Sequence, residues 1–181
     1  VAAGQAVSYA ITTLGRLYAW GLGTTGQLGD LTIVSKSSPV LVSGPATTSW
    51  ASVAAGSVTG YAITTLGRLY AWGLGTSGLL GDLTIVTKSS PVLVSGPSST
   101  SWSFIGTGST SISMSAISST VPNTLYVWGG GTIGMGGPPT DLATAPIALQ
   151  TTGSTTVSWS AVSAGSSFST AISTTGQLYA W

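Results

Sequence analysis

Short runs of alternating apolar and polar residues, separated by turns rich in glycine and proline, follow one another along the whole chain. No segment keeps a 3.6-residue period, so we expect very little helix. In residues 53–101, a tight turn at Thr65-Leu66-Gly67-Arg68 joins two strands and predicts a β-hairpin. The four strands predicted there are residues 60–65, 69–72, 91–94, where Pro91 takes the tolerated first position, and 101–105.

This pattern is repeated. Residues 9–45 return at 61–97, displaced by 52 positions, and only three of the 37 positions differ. Two weaker copies follow, so the chain reads as a single repeat domain over 1–181, with units of about 1–52, 53–104, 105–161 and a partial 162–181. The third unit is longer, and its extra residues fall at turn-rich places near 109–113, 121–123 and 138–139. Because one unit cannot bury its apolar face alone, consecutive units are expected to stack.

Four short antiparallel strands in about 50 residues are typical of a propeller blade. The predicted fold class is therefore all-β, a β-propeller of four-stranded antiparallel blades with about three and a half blades present. A closed propeller has about 4–8 blades. We therefore expect the chain to be part of a longer protein; the alternative is that two copies close one ring by pairing their edges.

The aromatic residues recur in register with the strands. We expect them to form the repeat core between blades, and the alternative is that exposed rings stack on sugars or bases. The aromatic positions are Trp20, Trp50, Trp72, Trp102, Trp128, Trp159, Trp181, Tyr18, Tyr70, Tyr126 and Tyr179. The glycines expected to form turns are Gly15, Gly21, Gly26, Gly29, Gly67, Gly73, Gly78 and Gly81.

Charged residues make up 4% of the chain, and there is no histidine or cysteine. Disulfides and Ser-His or Cys-His nucleophiles are therefore excluded. The net charge of +1 gives no reason to expect nucleic-acid binding, and no apolar run has the ~18 residues of a membrane span. No catalytic, cofactor-binding or metal-binding residue is predicted.

The charges repeat like the rest of the unit, whereas a catalytic acid or base would be unique. Arg16 matches Arg68, Lys36 matches Lys88, and Asp30 matches Asp82, with Asp141 as a third copy of the aspartate. We expect Asp30 and Asp82 to cap amides of the glycine loops or to meet the nearby basic residues. The Ser35-Lys36-Ser37 sequence could form a Ser-Lys pair, but it lies in a loop with no evident apolar pocket.

Residues 21–26 and 73–78 both match the dinucleotide-binding pattern G-x-G-x-x-G. Such a loop requires a following helix and an acidic residue about 20 positions further on, and both are missing here. The pattern also recurs in each unit, so we interpret its glycines as turn residues.

The repeated unit resembles the regulator of chromosome condensation repeat family. The resemblance rests on Ala10-Ile11-Thr12, Gly15, Leu17-Tyr18-Ala19-Trp20-Gly21, Gly26-Gln27-Leu28-Gly29, Pro39-Val40-Leu41-Val42 and the segment Trp50 to Gly56. It implies a β-propeller, commonly of seven blades. The histidine usual near the first strand is absent, and the charged loops that serve guanine-nucleotide exchange have no counterpart here.

The leading functional hypothesis is a non-enzymatic structural or adhesive propeller of an extracellular or virion assembly, such as a phage component or a surface filament. The low charge and the near-perfect duplication motivate it, because loops such as 24–38 would be presented at fixed spacing. The expected partners are proteins, through self-association or a larger assembly, and a glycan is the further candidate. The alternatives are a propeller that binds glycan or peptide, and an intracellular exchange-factor-like regulator.

Overall fold

The computed structural model describes residues 1–46, 48–97, 100–108, 113–120, 122–130, 142–149, 157–165 and 168–181. In these ranges the strands form four antiparallel sheets, each built from strands consecutive in the chain. The first sheet contains β1 (Ala2–Ala3), β2 (Val7–Ile11), β3 (Leu17–Gly21) and β4 (Lys36–Leu41). The second contains β5 (Trp50–Ala55), β6 (Thr59–Thr64), β7 (Leu69–Gly73) and β8 (Lys88–Leu93). The third contains β9 (Trp102–Gly106), β10 (Ser113–Ser118), β11 (Leu125–Gly130) and β12 (Leu142–Ala148). The fourth contains β13 (Trp159–Ala164), β14 (Ser169–Ser173) and β15 (Leu178–Ala180).

Consecutive sheets stack face to face, and their first strands lie together on the inner side. β1 contacts β5, β5 contacts β9, and β9 contacts β13. The interface between two consecutive sheets is called a seam below. The predicted fold class is confirmed, since the chain forms about three and a half propeller blades. Helix in the described ranges amounts to one 3-10 turn, Thr76–Gly78.

Each strand that starts with a tryptophan belongs to the sheet after the one that the sequence predicts. Residues 101–105 were predicted to be the fourth strand of their unit, but β9 pairs with β10 and is the innermost strand of the third sheet. β5 and β13 are the innermost strands of their sheets in the same way. The sequence-repeat boundaries at 52, 104 and 161 therefore fall inside inner strands, and each repeat contributes to two sheets.

The proline-containing strand also starts earlier than predicted. β8 begins at Lys88, so Pro91 lies inside the strand rather than at its start. This position is tolerated because β8 is the outermost strand and pairs with β7 on one side only. The register shifts between Ala71 and Gly73, which accommodates the irregular strand.

Glycine turns close the hairpins. In the β6–β7 turn, the Gly67 amide donates to the Thr64 carbonyl and the Thr64 amide donates to the Arg68 carbonyl, both at 2.9 Å. Gly67 has a φ of 73°, a conformation that strains residues with a side chain. The other predicted turn glycines also have positive φ: Gly15, Gly21, Gly26, Gly29, Gly73, Gly78 and Gly81. Of the expected insertion places, residues 109–112, 121 and 138–139 lie outside the described residues, as does Asp141.

Candidate binding surfaces

The repeated phrase Leu-Tyr-Ala-Trp divides its side chains between two seams. In β7, Leu69 and Ala71 pack in the seam with the third sheet, whereas Tyr70 and Trp72 pack in the seam with the first. Successive side chains of a strand point to opposite faces, so this division follows directly from the sequence. Each copy of the phrase therefore joins its sheet to both neighbours.

A backbone carbonyl links the two sheets in the first seam and again in the second. In the first seam, the Trp72 Nε1–H donates to the Gln27 carbonyl at 2.9 Å, and the Tyr9 hydroxyl donates to the same oxygen. In the second seam, the Leu79 carbonyl accepts from the Trp128 indole at 2.9 Å and from the Tyr61 hydroxyl at 2.8 Å. The acceptor is main chain, so the joint does not depend on which side chain residue 27 or 79 carries.

Burial in these seams changes the pKa of the two tyrosines that donate the second hydrogen bond. Desolvation raises the pKa of Tyr9 and of Tyr61 well above the ordinary value for tyrosine. Both hydroxyls therefore keep their protons and donate to the seam carbonyls. The sequence did not single out these two residues, because the third and fourth sheets carry Ser115 and Thr170 in their place and the tyrosine is not common to all copies.

The tryptophans that start inner strands complete each seam. Trp50 contacts Tyr70 edge-on at 5.5 Å between ring centroids and lies 6.3 Å from Trp72. Trp102 contacts Tyr126 in the same way at 5.1 Å, and Trp159 contacts Tyr179 at 5.0 Å. The buried tryptophans are Trp50, Trp72, Trp102, Trp128 and Trp159. Rings held this way cannot stack on a sugar or a base.

The remaining aromatic positions are half-buried: Trp20, Trp181, Tyr18, Tyr70, Tyr126 and Tyr179. Trp20 lies on the face of β3 opposite Ala19, which packs against the second sheet. Among the described residues, the main contacts that the first sheet makes with another sheet are those with the second sheet. Trp20 therefore occupies the same strand position as Trp72 without the seam that buries Trp72.

Two long loops lie at one end of the blades, at residues 22–35 and 74–87, and we call them the rim loops. In the first, the Asp30 carboxylate accepts from the Thr32 amide at 3.1 Å and from the Thr32 hydroxyl at 2.7 Å. This turn holds Leu31 at a φ of 68°, where leucine is strained, and its amide donates to the Ser89 carbonyl of the next sheet at 2.8 Å. The second loop repeats the arrangement, since Leu83 has a φ of 67° and its amide donates to the Thr144 carbonyl at 2.8 Å.

The first rim loop exposes Leu22, and both rim loops expose aliphatic side chains at the same three positions. We call this set the aliphatic rim patch: Leu31, Ile33, Val34, Leu83, Ile85 and Val86. The second loop lies on a sheet with neighbours on both sides, yet Leu83 keeps 65% of its surface exposed. The exposure of these side chains therefore does not result from a missing neighbouring sheet and recurs with the repeat. The Leu31–Ser89 hydrogen bond places the first loop against β8, the strand that follows the second loop.

Ion pairs neutralise the charges beside this patch. Lys36 Nζ lies 3.9 Å from the Asp30 carboxylate, and Lys88 Nζ lies 3.7 Å from that of Asp82. The prediction that the aspartates meet nearby basic residues is confirmed, whereas the amides they cap are those of Thr32 and Thr84, just after the glycine loops. Lys36 is therefore engaged by the Asp30 carboxylate.

Within the described ranges, no group of three or more metal-ligating side chains comes together, and no helix has the length and apolar character of a bilayer span. The two glycine strings do not lead into an α-helix. Gly26 instead lies against the backbone of the next sheet, where a Cβ would stand 2.8 Å from the Lys88 carbonyl oxygen. The geometry is that of a joint between blades.

The fold and these surfaces define a repeat-built β-propeller with an apolar rim. The family model of the regulator of chromosome condensation (RCC1) repeat matches residues 15–63 and 67–112, and the chain belongs to this family. It is 30% identical over 177 residues to the human E3 ubiquitin-protein ligase HERC2, covering 95% of this chain but 4% of that protein.

Solved structures of other proteins have the same fold. The chain matches human WBSCR16 with a TM-score of 0.86 and 25% identity, over 99% of this chain and 46% of that one. It matches yeast RCC1 (Prp20), in a structure bound to Kap60, with a TM-score of 0.80 and 20% identity over 98% of this chain and 42% of that one. The chain thus spans less than half the length of each of these proteins.

Proposed function

We propose that the chain is a non-catalytic binding module that holds a protein partner against the aliphatic rim patch. The single observation that carries this proposal is the patch itself, six exposed aliphatic side chains in two structurally equivalent loops. Contiguous exposed apolar surface on a folded protein commonly marks an interaction site. Membership of the RCC1 repeat family supports it, since the yeast RCC1 structure contains a bound protein, Kap60.

The loops are preorganised for such a role. The Asp30 turn fixes Leu31, and the Leu31–Ser89 hydrogen bond ties the loop to the next sheet. A loop that is already ordered loses less conformational entropy on binding. Because Asp30 and Asp82 are paired with lysines, the patch presents apolar surface with neutralised flanks, which favours an apolar partner surface over a charged one.

A purification with matched variants tests the proposal. Ile33→Ser with Val34→Ser, combined with Ile85→Ser and Val86→Ser, makes the patch polar. The control is Leu14→Ser, which removes an exposed leucine from the β2–β3 hairpin turn at the opposite end of the blades. A partner captured from cells of the source organism is then purified and its affinity measured by calorimetry.

We expect the patch variant to weaken that affinity at least about tenfold and the control to leave it within about twofold. Equal affinity of all three proteins would overturn the proposal. So would a turnover activity of the purified chain that one point substitution abolishes.

The location on a virion or outside a cell is a further proposal, and the scarcity of charge in the sequence is what supports it. Immunogold labelling of intact particles and cells is the direct test. Glycan binding is a weaker alternative, because the five buried indoles are not available for stacking. A glycan array with competable signals would favour it over protein binding.

A further inference from the structure

The end of the blades opposite the rim loops carries the unpaired positive charge of the described chain. Arg16 and Arg68 close the β2–β3 and β6–β7 hairpins, and both are exposed. Antiparallel strands place these hairpins at the end away from the β3–β4 and β7–β8 loops. Among the described residues, the ion pairs are Lys36–Asp30 and Lys88–Asp82, both at the rim-loop end, and neither arginine takes part in one. Positive charge is thus segregated to the hairpin end.

Each arginine lines a cleft with an apolar wall. Arg16 lines a cleft of about 560 Å³ together with Leu41 and Trp50. Arg68 lines a cleft of about 410 Å³ together with Leu66 and Tyr70. Both volumes fall in the range of about 300–1,000 Å³ that is usual for ligand sites.

The two clefts adjoin. Pro45 and Thr48 line both of them, so the two clefts lie side by side at the end of the first seam, and we call the pair the trough. The trough is bounded by backbone that the seam fixes, since the Trp50 amide donates to the Gly15 carbonyl at 2.9 Å and the Thr65 amide donates to the Ser49 carbonyl at 2.9 Å. An extended chain could therefore place one side chain in each cleft.

We propose that this trough binds an acidic peptide in which carboxylate and aliphatic side chains alternate. A guanidinium group binds a carboxylate through two parallel hydrogen bonds, and one arginine per cleft supplies two such contacts. The leucine, proline and aromatic walls take the intervening aliphatic side chains. A sulfated glycan or a nucleic acid would require a denser cluster of cations than two arginines.

Fluorescence anisotropy of a labelled peptide of alternating glutamate and leucine tests this proposal, with the matched glutamine–leucine peptide as the uncharged probe. We expect measurable binding of the glutamate peptide that weakens as salt is raised, and at least about fivefold weaker binding of the glutamine peptide. Arg16→Gln and Arg68→Gln should each weaken the glutamate peptide by about fivefold, and the double variant by about the product of the two factors.

Two further double variants test whether the position and the sign of the charge determine binding. K36Q with K88Q removes the same amount of charge at the other end and should change the affinity by less than about twofold. R16E with R68E should lose the glutamate peptide and bind a lysine–leucine peptide instead. Both arginines are exposed, so these variants are expected to fold, and thermal midpoints check this.

The proposal is overturned if the glutamate and glutamine peptides bind alike, if the arginine variants bind like the parent chain, or if a heparin oligosaccharide binds where the glutamate peptide does not. The test is independent of the rim-patch partner. The serine variant of the aliphatic rim patch should bind the glutamate peptide with unchanged affinity, so either proposal can fail alone.

Discussion

The carbonyl of Gln27 shows how little of a seam depends on the identity of one side chain. The Gln27 side-chain oxygen accepts from the Thr25 amide at 2.8 Å and from its hydroxyl at 2.7 Å, while Nε2 is buried without a partner among the described residues. In the next copy, Leu79 replaces the glutamine and Ser77 takes a φ of 62°. Two of the three differences between the copies are therefore neighbours in one loop and change together.

The burial of Tyr9 and Tyr61 predicts that the free energy of unfolding falls at alkaline pH. Burial raises the pKa of both hydroxyls, whereas in the unfolded chain the pKa is about 10. Below about pH 10, both residues are protonated in both states and their contribution to stability is complete. Above it, the unfolded chain loses protons that the folded chain keeps, so the free energy of unfolding falls by up to about 1.4 kcal/mol per pH unit for each tyrosine.

Urea denaturation at a series of pH values above and below about 10 measures this slope. Y9F with Y61F lowers the stability at neutral pH, because each seam carbonyl loses a donor, but it should have a shallower slope above about pH 10. Equal slopes for the variant and the parent chain would contradict the assignment.

The rim loops combine exposed leucines with a strained backbone. A left-handed conformation costs a residue with a side chain about 1–2 kcal/mol, and Leu31 has a φ of 68°. Replacing Leu31 by glycine should therefore raise the free energy of unfolding by about 1 kcal/mol while weakening binding at the aliphatic rim patch.

Chemical denaturation together with partner affinity checks this expectation. Leu14→Gly is the matched control, because Leu14 is exposed and is not among the residues with positive φ, so it should give no gain in stability. If Leu31→Gly destabilises the protein as much as the control does, the strain has been misjudged.

The hairpins and their turns could be predicted from the sequence because they depend on neighbouring residues. Gly67 marks the β6–β7 turn, and Leu69-Tyr70-Ala71-Trp72 marks the strand that follows. Sheet membership of the strand at Trp102 could not be predicted, because an alternating pattern states which face is buried but not which neighbour the strand pairs with. The start of β8 was missed for a related reason, since Pro91 is acceptable only on an edge strand and edges are decided by the stacking of sheets.

Less of the candidate surfaces could be predicted. The loop positions and the pairing of Asp30 with a nearby basic residue could be predicted, but the exposure of Ile33 and Val34 depends on how the loop lies over the next sheet. The trough between Arg16 and Arg68 belongs to two sheets, so no local pattern contains it.

The stacked sheets behave as a linear array in which each contacts its neighbours. Trp72 lies in the first seam and Trp128 in the second, and both are fully buried. In such an array, stability is close to a sum of sheet and seam terms. Substitutions in different seams are therefore expected to act independently, and those within one seam are not.

Two double-mutant cycles measured by urea denaturation test this arrangement. W72F and W128F should each cost about 2 kcal/mol and add within about 0.5 kcal/mol when combined. W50F with W72F should depart from additivity by more than that, because these rings lie 6.3 Å apart in one seam. Strong coupling between Trp72 and Trp128 would show that the blades do not act as separate units.

The carbonyl that joins the sheets has an evolutionary consequence. Since every polypeptide has this oxygen, mutation cannot remove it from residue 27 or 79, and only the indole and phenol donors must be inherited. A gene segment of 52 codons that is copied in tandem therefore encodes a blade that already fits its parent. Lengthening the array in this way repeats the same joint, and the two adjacent units here differ at three of 37 positions.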